Sequence, residues 1–197
     1  KVDFIVGYIS SAVGYAIRDF VHGAKMPTLS TSAGARHSRD RFSPYFFRVT
    51  PSTFQYTYEP AKWWYQHGYK GKTYKKVIFM GADFAASRES IIGFKKGFEE
   101  VGGKVIQDVW PALGTNDFGP YLSALKVDEA DALVLAMWGS MPIRLVNQWV
   151  EYGLKKRLPI IGVASVTDEG TTLPGMGVNA DGILSWYVSS PQTDIPE

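Results

Sequence analysis

The stretch "KKVIFMGADFAASRESIIGFKKGFEEVGGKVI", residues 75–106, changes its period twice. Residues 75–81 run apolar after two lysines, as a strand buried on both faces does. From Ala86 the pattern turns helical. Ile91, Phe94, Phe98 and Val101 recur at three- and four-residue spacing and share one face. Gly102 and Gly103 supply a helix stop, and a second strand is expected over 104–110. Strand, helix and strand in so short a stretch make a βαβ unit, whose two strands lie parallel.

The same alternation runs outward in both directions. Strands are expected over 2–7, 27–30, 45–49, 132–137, 158–162 and 182–187. Helices are expected over 11–23, 52–67 with Ser52 or Thr53 as N-cap, from Pro120 onward, and over 141–153. Such alternation predicts an α/β fold with parallel sheets covered on both faces. Ligands of these folds gather outside the carboxyl ends of the strands. The loops to search are therefore 7–11, 31–35, 81–87, 137–141 and 162–168.

At 197 residues the chain is long enough for one domain or two small lobes. A net charge of +2 implies no strongly charged partner, and the run "YKGKTYKK" (69–76) reads as a solvated turn rather than a nucleic-acid stripe. With no cysteine, disulfides and thiolate catalysis are excluded. No run reaches the roughly 18 apolar residues of a membrane span. The opening "KVDFIVG" starts inside a strand, as expected of a mature or truncated product.

Catalytic patterns are absent. His22, His37 and His67 have no partner at metal-ligand spacing. His22 and His67 suit helix C-termini, while His37 lies in a polar loop within reach of a ligand. Arg88 and Glu89 are expected as exposed first-turn helix residues. In "GVASVTDEG", Asp168 and Glu169 are adjacent and face different ways. There is no GxSxG elbow, GxGxxG or Walker pattern. No enzyme, cofactor or metal is expected.

Taken in order, "VDFIVGYISSAVGYA", "PTLSTSAGA", "SPYFFRVTPS", the 75–106 stretch, "LGTNDFGPYLSALK", "EADALVLAMWG", "QWVEYGLKKRLPIIG" and "ADGILSWYVSSP" resemble the type I periplasmic solute-binding proteins of ABC importers, specifically the leucine/isoleucine/valine-binding family. The resemblance covers essentially the whole chain. It implies two Rossmann-like lobes that close on a ligand, with residues 1–48 a partial first lobe, 49–184 the second lobe, and 185–197 the crossover back. On that pattern the opening strand, helix and strand of lobe one are missing, as is the final return into it. The expected partners are a small carboxylate ligand and a membrane permease, with no nucleic acid; the expected state is a monomer in the periplasm or tethered outside the cell.

The resemblance also implies the site. Ser11 matches the family's carboxylate-binding serine, with Ser10 beside it. Ser32, Ala33 and Gly34 fall in the second clamp loop. The chemistry fits, because a hydroxyl, backbone N–H groups and a helix dipole suit a carboxylate; without the resemblance, a plain N-cap at Ser10 or Ser11 would be the preferred reading. Amino-acid binders in the family place a threonine hydroxyl where this chain has Gly34, and an acidic side chain where it has Ala164. Their stacking tyrosine corresponds to Ala86. Phe84, Trp138 and Tyr8 remain as aromatic walls. The expectation is an aromatic or keto acid, with no acidic group awaiting an ammonium. The alternatives are an amide- or urea-type sensor of the same fold and a doubly wound enzyme.

Overall fold

Between residues 76 and 163 the apolar runs become strands, and those over 76–81, 132–136 and 160–163 are shielded on both faces. The computed structural model describes residues 2–187. In it β4 (Lys76–Gly81), β5 (Lys104–Val109), β6 (Ala132–Ala136), β7 (Ile160–Val163) and β8 (Leu184–Trp186) form an all-parallel sheet in the order β5-β4-β6-β7-β8. β6 is buried at every position, as the uninterrupted "ALVLA" requires. β1 (Ile5–Gly7), β2 (Thr28–Ser30) and β3 (Phe46–Arg48) form a second parallel sheet in chain order. Each strand is one to three residues shorter than the expected run, because run ends extend past the last ladder hydrogen bond, and β7 ends one residue later than expected. The boundary expected between 184 and 185 falls inside β8, and residues 188–197 of the expected crossover lie outside the described residues.

The helices are α1 (Ser11–Gly23), α2 (Thr53–His67), α3 (Ala85–Glu100), α4 (Gly119–Ser123), α5 (Met141–Glu151) and α6 (Leu173–Met176). The N-cap of α2 is Ser52, in a complete capping box. Its hydroxyl accepts from the Gln55 N–H at 3.2 Å, and its own N–H donates to the Gln55 side chain at 2.9 Å. α3 ends where Gly102 takes a φ of 96°, which costs a side-chain-bearing residue strain.

α2 and α3 cross very closely, and α3 turns two glycines towards α2. A Cβ on Gly93 would stand 2.6 Å from the Thr57 hydroxyl, and one on Gly97 would press into the Tyr58 carbonyl. That closeness lets the Thr57 hydroxyl donate to the Ser90 carbonyl at 2.8 Å across the crossing.

α2 also carries Pro60 in its interior. Proline has no N–H, so the carbonyl of Tyr56, four residues back, loses its helical donor. The Trp186 indole N–H takes that carbonyl at 2.8 Å. A break in one helix thus anchors edge strand β8.

The three-stranded sheet differs from its neighbour. Val6, Leu29 and Phe47 are register partners in one row across it and are 68%, 41% and 51% exposed. Phe4 and Val49 extend the same face, which is uncovered among the described residues.

Candidate ligand-binding site

In the five-stranded sheet the chain leaves β4 for β5 on one side and later returns to place β6 on the other. The strand order reverses between β4 and β6, and that reversal opens a crevice at the carboxyl ends. Phe84 follows β4 and Trp138 follows β6. Their rings meet edge to face with centroids 5.4 Å apart. Two hydroxyls fix the end of β6. Ser87 donates to the Ala136 carbonyl at 2.8 Å and Ser165 donates to the Met137 carbonyl at 2.7 Å. Ala86 is buried beneath this rim. Ala164 is half-buried, and its backbone amide lies against the Tyr56 hydroxyl, whose pKa burial pushes up to about 12.

The three-stranded sheet contributes the loops after β1 and β2. Tyr8 adopts a left-handed φ of 63°, a strained value for a large residue. Its carbonyl is held by the Ser30 hydroxyl at 2.9 Å and the Thr31 hydroxyl at 3.2 Å. Ser10 is the N-cap of α1 by backbone geometry, yet its side chain makes no capping bond. Ser11 follows as the first helical residue and is buried. The N-caps of α3 and α5 also make no side-chain bond, in contrast to the closed box on α2. The helix starts at the strand ends therefore keep first-turn amides without a side-chain cap.

The loop after β2 is tied residue by residue. The Ala33 carbonyl accepts from the Thr53 N–H at 2.7 Å, and the Gly34 carbonyl accepts from Arg48 Nη1 at 3.0 Å. The Ala35 N–H donates to Glu89 Oε2 at 2.8 Å, and the Arg36 N–H donates to the Tyr15 hydroxyl at 3.2 Å. The Thr53 hydroxyl also donates to Glu89 Oε2, at 2.7 Å, while the Tyr15 hydroxyl donates to Oε1. Burial and the bond to Glu89 keep the Tyr15 hydroxyl protonated well above the usual tyrosine range.

Two expectations change here. Glu89 is a half-buried acceptor for three donors, not an exposed first-turn residue, and it places an acidic group one residue from Gly34. Sequence spacing put Glu89 near solvent because α1 and the loop after β2, which cover it, come from distant sequence. The structure also gives a reason for Gly34. A Cβ there would stand 2.6 Å from the Tyr15 ring, so the ring fills the space a threonine would need.

His37 is not a loop residue facing a ligand. It is 4% exposed, stacked on Phe46 with centroids 4.0 Å apart, and 4.7 Å from the Tyr15 ring. Among the described residues neither ring nitrogen has a hydrogen-bond partner, nor does the buried Ser32 hydroxyl. Burial first, and the Arg48 charge second, lower its pKa to about 4. The unfolded chain binds the proton near 6.5, so between the two values the unfolded state holds more protons. Stability from this group is complete above about pH 6.5 and falls as pH drops towards 4, by up to about 3 kcal/mol. Urea denaturation at pH 7.5 and 4.5 is expected to show this loss in the wild type and a smaller one in His37→Phe. An equal loss in both would rule it out.

Phe84 and Trp138 touch, and Gly34, Ala35, Thr53 and Glu89 come together. No hydrogen bond or ring contact among the described residues joins Ser10 or Ser11 to the Phe84–Trp138 pair. A groove of about 840 Å³ lies elsewhere, along the second half of α2 and β8, lined by Trp63, Trp64, Tyr69 and Trp186. It contains none of the ligand-binding residues expected from the sequence. Among the described residues no three acidic or histidine side chains gather as a metal site.

The sequence pattern described as "Periplasmic binding protein" matches residues 1–196. The chain belongs to the periplasmic binding protein family. This periplasmic binding protein is 28% identical, over its full length, to the Leu/Ile/Val-binding protein homolog 6 of Brucella suis biovar 1 (strain 1330), covering 49% of that protein. It superposes with a TM-score of 0.87 on an ABC transporter substrate-binding protein from Sphaerobacter thermophilus, at 34% identity, covering 100% of this chain and 53% of the other. An R. palustris ABC transporter solute-binding protein in complex with 4-hydroxybenzoate gives a TM-score of 0.85 at 29% identity, with 100% and 52% covered. The chain spans about half the length of the relatives it matches.

Proposed function

We propose that this periplasmic binding protein, in its full-length form, binds an aromatic monocarboxylate in a cleft between the carboxyl ends of its two sheets. It then presents that acid to an ABC permease from the periplasm or the outer face of the membrane. The observation that carries the reading is the start of α1, where Ser10 leaves the first-turn amides uncapped and Ser11 stands buried among them. An anion at that position gains backbone donors, a hydroxyl and the positive end of a helix. Tyr8, Phe84 and Trp138 supply aromatic faces, and the R. palustris relative seen with 4-hydroxybenzoate fits the same chemistry. Residues 1–48 would form part of one lobe and 49–184 most of the other, closing about the ligand without any chemical step.

A second reading has one observation in its favour. Glu89 beside Gly34 could meet the ammonium of an α-amino acid. Its two oxygens already serve three donors, which favours the acid. Calorimetry on the full-length protein separates the readings. Benzoate or 4-hydroxybenzoate is expected to bind at least about tenfold tighter than leucine, and 4-hydroxybenzamide more weakly than its acid. Tighter binding of leucine would establish the second reading, and equal binding of acid and amide would point to a neutral-ligand sensor.

A further inference from the structure

Four consecutive residues, 33–36, are each held by a hydrogen bond, and three of those bonds run into one cluster. Its centre is the Glu89 carboxylate on α3. Its donors come from three separate elements: the Tyr15 hydroxyl from α1, the Ala35 N–H from the loop after β2, and the Thr53 hydroxyl from the first position of α2. The same α3 begins directly after Phe84, and Ala86 is in its first turn. Glu89 therefore connects the loop carrying Gly34, from the three-stranded sheet, to the segment carrying Phe84, from the five-stranded sheet.

We propose that Glu89 is the positioning residue of the binding cleft, joining its two loop systems and setting their separation. This rests on the cleft reading above. A carboxylate suits the task because its oxygens accept several bonds at once, and each charge-assisted bond is stronger than a neutral one. Tyr15 has a double part, since it covers Gly34 and relays the Arg36 N–H to Glu89. Glu89 need not touch the ligand. Its action is to hold Gly34 and Phe84 together once the lobes have closed, so that a bound ligand is kept between both walls.

The experiment compares full-length wild type, Glu89→Ala and Glu89→Gln. The probe is 4-hydroxybenzoate, followed by stopped-flow tryptophan fluorescence, with amide hydrogen exchange in parallel. In Glu89→Ala the ligand is expected to dissociate at least about tenfold faster, with association changed far less. The Ala35 and Arg36 amides are expected to exchange at least about tenfold faster, while those of β4 and β6 stay as they were. Glu89→Gln is expected to recover most of both effects. Its carbonyl oxygen can accept from Ala35 and Thr53, and its NH₂ can donate to the Tyr15 oxygen.

Unchanged exchange at Ala35 and Arg36 in Glu89→Ala would overturn the proposal. So would tighter binding in that variant, which would make Glu89 a competitor of the ligand acid, or a Glu89→Gln as impaired as Glu89→Ala. If Glu89→Ala does not fold, Tyr15→Phe combined with Thr53→Val removes two of the three donors and is read in the same way. If the wild type binds no aromatic acid, the ligand reading fails, and the exchange at Ala35 and Arg36 alone decides the role of Glu89.

Discussion

Gly97→Ala is expected to destabilise the protein by about 3 kcal/mol, a melting temperature lower by about 6–12 °C for a chain of this size. The added methyl would stand against a backbone carbonyl, that of Tyr58, and not against the movable end of a side chain. Relief requires α2 and α3 to move apart. That movement stretches the bond from the Thr57 hydroxyl to the Ser90 carbonyl. It also separates Thr53 from Glu89, because each sits on one of the two helices. Thermal or urea denaturation measures the loss. A variant melting within a degree or two of wild type would show that the crossing has slack.

The second large effect is on binding. Ser11→Ala is expected to weaken 4-hydroxybenzoate binding roughly 10- to 150-fold, the loss of one charge-assisted hydrogen bond worth about 1.5–3 kcal/mol. Ser11 is buried at the first position of α1, and Ser10 makes no capping bond of its own. On the proposed reading the Ser11 hydroxyl serves the ligand rather than the helix end. Helix stability should change little, because the residue removed is not the N-cap. Circular dichroism and calorimetry together test this. Full affinity in a folded Ser11→Ala protein would refute the clamp.

Much of this fold can be read from the chain alone, and the reasons are local. Burial on both faces writes "VIFMG" and "ALVLA" as unbroken apolar runs, and Ile91, Phe94 and Phe98 mark one helix face. Gly102 stops α3, and Ser52 with Gln55 opens α2. The loops at the strand ends follow from the alternation itself. What stayed hidden depends on residues far apart in sequence. Glu89 looks exposed in its own helix because Tyr15 and Ala35, which cover it, lie 74 and 54 positions away. His37 sits among arginines and serines and looks solvated, yet it stacks under Phe46. No period encodes such contacts. The one sequence signal for the Glu89 cluster is Gly34, a residue whose missing side chain makes room for Tyr15.

Pro60 has a consequence for how the chain can change over time. By withholding one donor it frees the Tyr56 oxygen, and the indole of Trp186, 130 positions from Tyr56, takes it. The two substitutions are therefore linked in fate. An alanine at 60 would restore the helix ladder and give the Tyr56 oxygen a second donor beside the indole. A phenylalanine at 186 would strand that oxygen without a donor. Loss of the tryptophan is therefore penalised while the proline is present and eased once residue 60 has an N–H, so in a lineage of such chains the tryptophan should be lost only after the proline.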